Sequence, residues 1–413
     1  MKFSSQFLCI LSMALVCGAV NATTYSMPKT PGDSVIIEHP EDGDVSFTRS
    51  QQDETLIDVA RQFLLGQTEI VRLNPDLDRW LIKKGTIIVL PNKRILPEGP
   101  RNGIVLNLSE FRLYFYQPNG KNGAPVQVRS YAHGVGRQDW KTPLGETRIV
   151  KKVKNPSWYP PESIRQEHAA NGDPLPTVVG PGPNNPLGSR ALHLALKGEY
   201  RIHGTDIDKI YGIGMQITHG CIRLYPENIE ALYDLVSEGT PVYLVKQPIK
   251  VGWLDNKLYV EAHPDLEGDE TTHEQRFALA LSLIMKANKG ELPDFDKAAL
   301  DHVLTELRGI PTAIYERLPP LEDEVVPDVV NVPAPAVSKT TAKAAVKKPA
   351  KQLAVISKKP TVLAGNKTAK PVSKNKAADK PAKSAAKAAS KTAKSTANTA
   401  NKTVSPGYYR GSL

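Results

Sequence analysis

The chain has 413 residues, more than one typical domain, so two or three folded units joined by linkers are expected. Its net charge of +10 is unevenly spread: residues 331–413 carry 18 Lys and Arg against one acid, Asp379, while residues 23–330 are net negative. A folded part of that sign excludes a basic nucleic-acid-binding domain, and no nucleic-acid partner is expected.

Residues 1–22 read as a secretory signal peptide: Lys2, then a mostly apolar run over 7–20, then Val20-Asn21-Ala22 as a small-residue cleavage site. The bulky Val16 argues against lipid attachment at Cys17. Cleavage after Ala22 removes Cys9 and Cys17 and leaves Cys221 as the only thiol, which excludes an internal disulfide framework. No later apolar run reaches the length of a membrane span, so no transmembrane segment is expected after signal cleavage.

Over residues 45–91, VSFTR alternates like a strand and DETLIDVARQF places Leu56, Val59, Ala60 and Phe63 at helical spacing. QTEIVRLNP is a second helical stretch stopped by Asn74-Pro75, and KKGTIIVLP gives a turn and a strand ending at Pro91. This strand-helix-helix-strand order resembles a lysin-motif (LysM) domain, which binds N-acetylglucosamine-containing glycans. The matching residues are Asp53-Glu54-Thr55-Leu56, Ala60, Phe63, Ile70, Asn74-Pro75, Gly85 and Pro91. They are mostly core and turn positions, so they speak for the fold more than for glycan binding, and a ligand-free spacer stays open.

Residues 101–246 are strand-rich. GIVLNLSEFRLYFYQ reads as two strands around a turn at Ser109-Glu110, and APVQVRSYAHGVG as a strand entering a glycine loop. The stretch 154–189, rich in Pro, Gly and Asn, is expected to be an irregular lid or substrate loop. RALHLAL and EYRIHGT read as strands, the second ending at His203; YPENIEALYDLV is an amphipathic helix and TPVYLV a closing strand. Residues 247–318 combine VGWLDNKLYVEAH with two helical stretches, an accessory α/β subdomain. From 319 to 413 the Ala/Lys/Pro-rich composition cannot offset its ordering entropy, and a disordered basic tail is expected.

The chemistry gathers at ITHGCIRL, residues 217–224. A cysteine nucleophile needs a base, a group that orients the base, and donors for an oxyanion. His203 at a strand end and His219 beside the thiol are the candidate bases. Residues i and i+2 of an extended segment do not bring their tips into hydrogen-bond geometry, which favours His203. Gly220 admits a carbonyl close to the amides of residues 220 and 221. Arg223 offers a bidentate partner for a substrate carboxylate. An adjacent imidazolium is expected to lower the thiol pKa. His203, His219 and Cys221 also offer three zinc ligands, but the His-x-Cys spacing differs from the paired-ligand spacings of common zinc sites.

The run from His203-Gly204 to Thr218-His219-Gly220-Cys221-Ile222-Arg223-Leu224 resembles the signature of the L,D-transpeptidase catalytic domain. The blocks at 134–161 and 178–194 agree with it in content and order. With the LysM-like segment the likeness spans roughly residues 38–265. It implies a multidomain chain: a small βααβ LysM-like domain (45–91), a mainly-β catalytic domain (101–246), the accessory subdomain (247–318) and the tail. It further implies an exported, periplasmic, cell-wall-associated enzyme of Gram-negative type that needs no metal or organic cofactor.

By the same resemblance Cys221 is the nucleophile and His203 the general base, with the carbonyl of Gly204 orienting its other ring nitrogen. His219, Gly220 and Arg223 shape the oxyanion and substrate pocket. Thr218 stands where many relatives have Ser. The implied donor is a peptidoglycan tetrapeptide stem, attacked at meso-diaminopimelate with loss of D-Ala. The implied acceptor is a second diaminopimelate amine (a 3→3 cross-link) or the terminal lysine of an outer-membrane lipoprotein. Carbapenems are expected to acylate Cys221. The alternatives are an L,D-carboxypeptidase that passes the acyl group to water, and a non-enzymatic wall-binding scaffold.

Overall fold

The computed structural model describes residues 23–43, 45–118 and 126–318. The expected signal peptide and basic tail lie outside these residues.

The chain enters through β1 (Thr23–Ser26) and β2 (Val35–Ile37), then runs through β3 (Val45–Arg49), α1 (Leu56–Gln62), α2 (Gln67–Leu73) and β4 (Ile87–Pro91). Thr55 caps α1, accepting from the Asp58 amide at 3.1 Å while the Asp58 carboxylate accepts from the Thr55 amide. β3 and β4 pair antiparallel, and Leu56, Val59, Ala60, Ile70 and Ile88 close a small core of their own. The helical periodicity is read correctly here because both helices bury one face in the same small core with Ile88 and Leu90 of β4.

The next ten strands build the site's scaffold. β5 (Lys93–Ile95) pairs with β2; β6 (Gly103–Asn107), β7 (Arg112–Gln117), β8 (Gln127–Gly136) and β9 (Gly145–Lys154) follow. After an excursion containing α3 (Glu162–Ala170) come β10 (Arg190–Leu194), β11 (Arg201–His203), β12 (Gln216–Thr218), β13 (Ile222–Leu224), α4 (Pro226–Leu235) and β14 (Pro241–Val245). The pairing order β8-β13-β11-β10-β9-β14-β6-β7 returns to β8, closing a ring of mixed strands, with β1 and β12 added on β8. Ile104, Leu113, Ile202, Ile222 and Leu244 share one core with Ile229 and Leu232 of α4. Tyr114, Tyr116 and Val128, on the other face of β7 and β8, are covered by Tyr25 of β1 and Ile36 of β2. β6 and β7 therefore read as continuous apolar runs instead of alternating ones.

β15 (Ile249–Leu254), β16 (Lys257–Ala262) and β17 (Thr312–Glu316) form an antiparallel sheet under α5 (His273–Ala287) and α6 (Lys297–Glu306). It is fastened to the ring by the buried Lys250 ammonium, which donates to Glu110 at 2.7 Å and to the Ile95 carbonyl at 2.6 Å and lies 2.8 Å from Glu261. The small βααβ unit is fastened by Glu69, whose partly buried carboxylate meets Arg94 at 2.5 Å and Arg112 at 3.1 Å.

Candidate functional site

Parallel pairing of β11 with β13 sets Ile202 against Ile222 and His203 against Arg223. Both isoleucines enter the core. By the two-residue alternation of strands, His203 and Arg223 lie on the opposite face, and Cys221 lies with them. The thiol, the imidazole and the guanidinium thus share one patch of sheet, although 17 residues separate the first two in sequence.

The loop that carries the thiol is pinned at both ends. Thr218 donates its hydroxyl to the Cys221 carbonyl at 2.7 Å. Thr142 donates to the Gly220 carbonyl at 2.9 Å and accepts from the Gly136 amide at 3.0 Å. Gly220 has φ +94°, and a Cβ there would lie 2.7 Å from the Tyr200 ring. The residue is glycine both for its backbone and for lack of room.

His203 is 4% exposed, and its Nδ1 lies 2.6 Å from the Gly204 carbonyl. A carbonyl only accepts, so Nδ1 carries the proton and Nε2 presents a lone pair. Burial, assisted by the Arg223 charge, pushes the imidazole pKa down to about 3. Burial also pushes the Cys221 thiol up, outweighing the contact with the Arg201 backbone and the charges of Arg201 and Arg223. The expected thiolate-favouring imidazolium is therefore absent at rest: near neutrality Cys221 is a thiol and His203 a neutral imidazole.

His219 is placed differently from His203. Its Nε2 lies 3.2 Å from Glu167 Oε2, and its ring stands edge-on to Trp140 with centroids 5.3 Å apart. Arg137 donates to both oxygens of the same carboxylate, at 2.7 and 2.8 Å. Glu167 and Arg137 have no counterpart in the sequence reading. Glu167 sits in a stretch without apolar periodicity, and only Ile164 of α3 is buried. His203, His219 and Cys221 do not converge on a common point as zinc ligands would. Among the described residues, the one His/Cys/Asp/Glu group that does converge is Glu110, Glu261 and His263. There the Lys250 ammonium already supplies the positive charge.

A family model described as the L,D-transpeptidase catalytic domain (YkuD) matches residues 101–244. The Escherichia coli K12 protein named probable L,D-transpeptidase YbiS is 31% identical over 322 residues, covering 76% of this chain and 99% of its own length. The protein named YcfS from the same organism is 32% identical over 318 residues, with 76% and 95% covered. ErfK/SrfK of Salmonella typhimurium is 32% identical over 301 residues, with 72% and 93% covered.

Proposed function

The chain belongs to the L,D-transpeptidase family and is an L,D-transpeptidase, and from that premise we propose that Cys221 and His203 carry out acyl transfer on peptidoglycan stems. The observation that supports this most is the β11–β13 register, which sets His203 and Arg223 abreast with Cys221 on the same face. The donor is a tetrapeptide stem held by its carboxylate on Arg223. As the thiol attacks the L-centre carbonyl of meso-diaminopimelate, its proton passes to His203 Nε2. The Gly204 carbonyl keeps Nδ1–H in place and disperses the charge that forms on the ring. The backbone amides of Gly220 and Cys221 receive the oxyanion. His203 returns the proton to the departing D-Ala amine, leaving a thioester on Cys221. An incoming amine then attacks the thioester, gives its proton to His203 and regenerates the thiol.

A neutral resting pair suits this sequence. Neither partner holds a charge until the substrate has displaced water, so the ion pair forms only where the transition state needs it. The acceptor is a diaminopimelate amine or a lipoprotein lysine, in the periplasm, with residues 45–91 supplying a glycan contact.

Muropeptide analysis of a deletion strain tests the reading. The parent gene restores cross-linked or lipoprotein-bearing muropeptides, and Cys221→Ala restores none. Stems that are shortened only would mean transfer to water. Full restoration by Cys221→Ala would reject the enzymatic assignment of this thiol. With purified protein, a carbapenem adds its mass to the parent and not to Cys221→Ala.

A further inference from the structure

Residues 155–189 leave the ring after β9 and return at β10 as a closed flap. Trp158 and Val179 bridge its two arms. The Asn185 amide donates to the Pro156 and Gly180 carbonyls at 2.8 and 2.9 Å, and its oxygen accepts from the Leu187 amide at 2.8 Å. α3 rides on this flap, and its Glu167 is the contact with the nucleophile loop, through His219.

An ionised carboxylate can only accept hydrogen bonds. Glu167 is kept ionised: the hydrogen bond from Arg137 foremost, with that from His219 and the charges of both, holds its carboxyl below the usual range against the cost of desolvation. His219 Nε2 must then carry the proton, which leaves Nδ1 as the ring's acceptor. We propose that Glu167, braced by Arg137, is a positioning residue that fixes the His219 tautomer and ties the flap to the loop bearing Cys221. The arrangement removes His219 Nε2 from the set of oxyanion donors, a role that the family resemblance left to it. The inference rests on the assignment of Cys221 as nucleophile only for its catalytic consequence.

The charged and titratable groups facing His219 are Arg137 at the end of β8 and Glu167 and His168 on α3; Trp140 is the neutral neighbour. Burial lowers the His219 pKa, Glu167 opposes that, and Arg137 and His168 add to it. The two charged partners of the clamp therefore act with opposite signs.

The test uses the full chain labelled with ¹⁵N-histidine, the His219 signals being assigned by their loss in His219→Gln. The parent should show the Nε2–H tautomer. Glu167→Gln should show a mixed or reversed tautomer, because Arg137 holds the carboxamide oxygen and the amide faces the ring. Its His219 midpoint should move to lower pH, and that of Arg137→Gln to higher pH. Acylation of Cys221 should slow on the order of tenfold in Glu167→Gln, with Glu167→Asp recovering part of the rate. Midpoints that stay put, or move in the same direction in both variants, would overturn the proposal even if the rate falls. If Glu167→Gln fails to fold, an unshifted or downward midpoint in Arg137→Gln overturns it as well. A parent that is never acylated rejects the Cys221 reading and leaves the tautomer result standing.

Discussion

Gly220 is held at φ +94° with the Tyr200 ring against its missing side chain. An added methyl costs twice: about 1–3 kcal/mol of backbone strain, and a shift of the loop that carries the thiol. Gly220→Ala should therefore keep its fold by circular dichroism while losing at least about tenfold in the rate of Cys221 acylation. A variant acylated at the parental rate would show that the loop tolerates movement. The placement of His203 and Arg223 on neighbouring strands, with Cys221 after a glycine turn, was legible in their spacing. Their protonation was not. The imidazole and thiol are both shifted by burial, and burial depends on strands and a flap that the local sequence does not display.

At the scale of the element, the flap shows where periodicity stops being informative. The sequence predicts irregular structure over 154–189, and α3 stands inside it. Nine residues with one buried side chain leave no apolar stripe to detect, and Pro160-Pro161 ahead of it is the only sign of a start. β1, β2 and β17 were missed for a related reason. Their partners lie far along the chain, β1 with β8 and β17 with β16, and short strands owe their existence to those partners. The flap's own shape rests on Asn185, which is 1% exposed. Asn185→Ala leaves the Pro156 and Gly180 carbonyls and the Leu187 amide without their partner, at about 1–3 kcal/mol. Hydrogen exchange should rise across residues 155–189 while the rest of the ring keeps its protection. Unchanged exchange there would mean that the flap is held by its apolar contacts instead.

At the scale of the whole molecule, acid should act through buried histidines first. Burial pushes His133 and His203 down to about 3. The unfolded chain binds those protons near pH 6.5, so stability is complete above that pH and is lost progressively as pH falls toward 3. Burial alone would raise the carboxyls of Glu69 and Glu261. Arg94 and Arg112 reverse this for Glu69, Lys250 and His263 for Glu261, and both sit at about 2. Their contribution is lost only below about pH 4.5. Between pH 6.5 and 4.5 the decline belongs to histidine, and each contributes up to about 1.4 kcal/mol per pH unit. Chemical denaturation of His133→Phe should therefore give a shallower decline than the parent over that interval; an equal slope would assign the loss elsewhere.

Contacts other than those ion pairs also hold the βααβ unit against the ring. Gly66, at the entry to α2, abuts Gly214, and a Cβ on Gly214 would lie 2.4 Å from the Gly66 Cα. Gly214 precedes β12 and the nucleophile loop by a few residues. Tyr225 donates to the Leu65 carbonyl at 2.9 Å, and the Ile213 carbonyl accepts from the Gln67 amide at 2.8 Å. The βααβ unit is seated on the backbone that leads to the thiol. On the proposal that this unit contacts glycan, a sugar bound there would sit on the same support as the Cys221 loop. On that proposal the enzyme would select stems along a glycan strand by their pitch as well as by their chemistry.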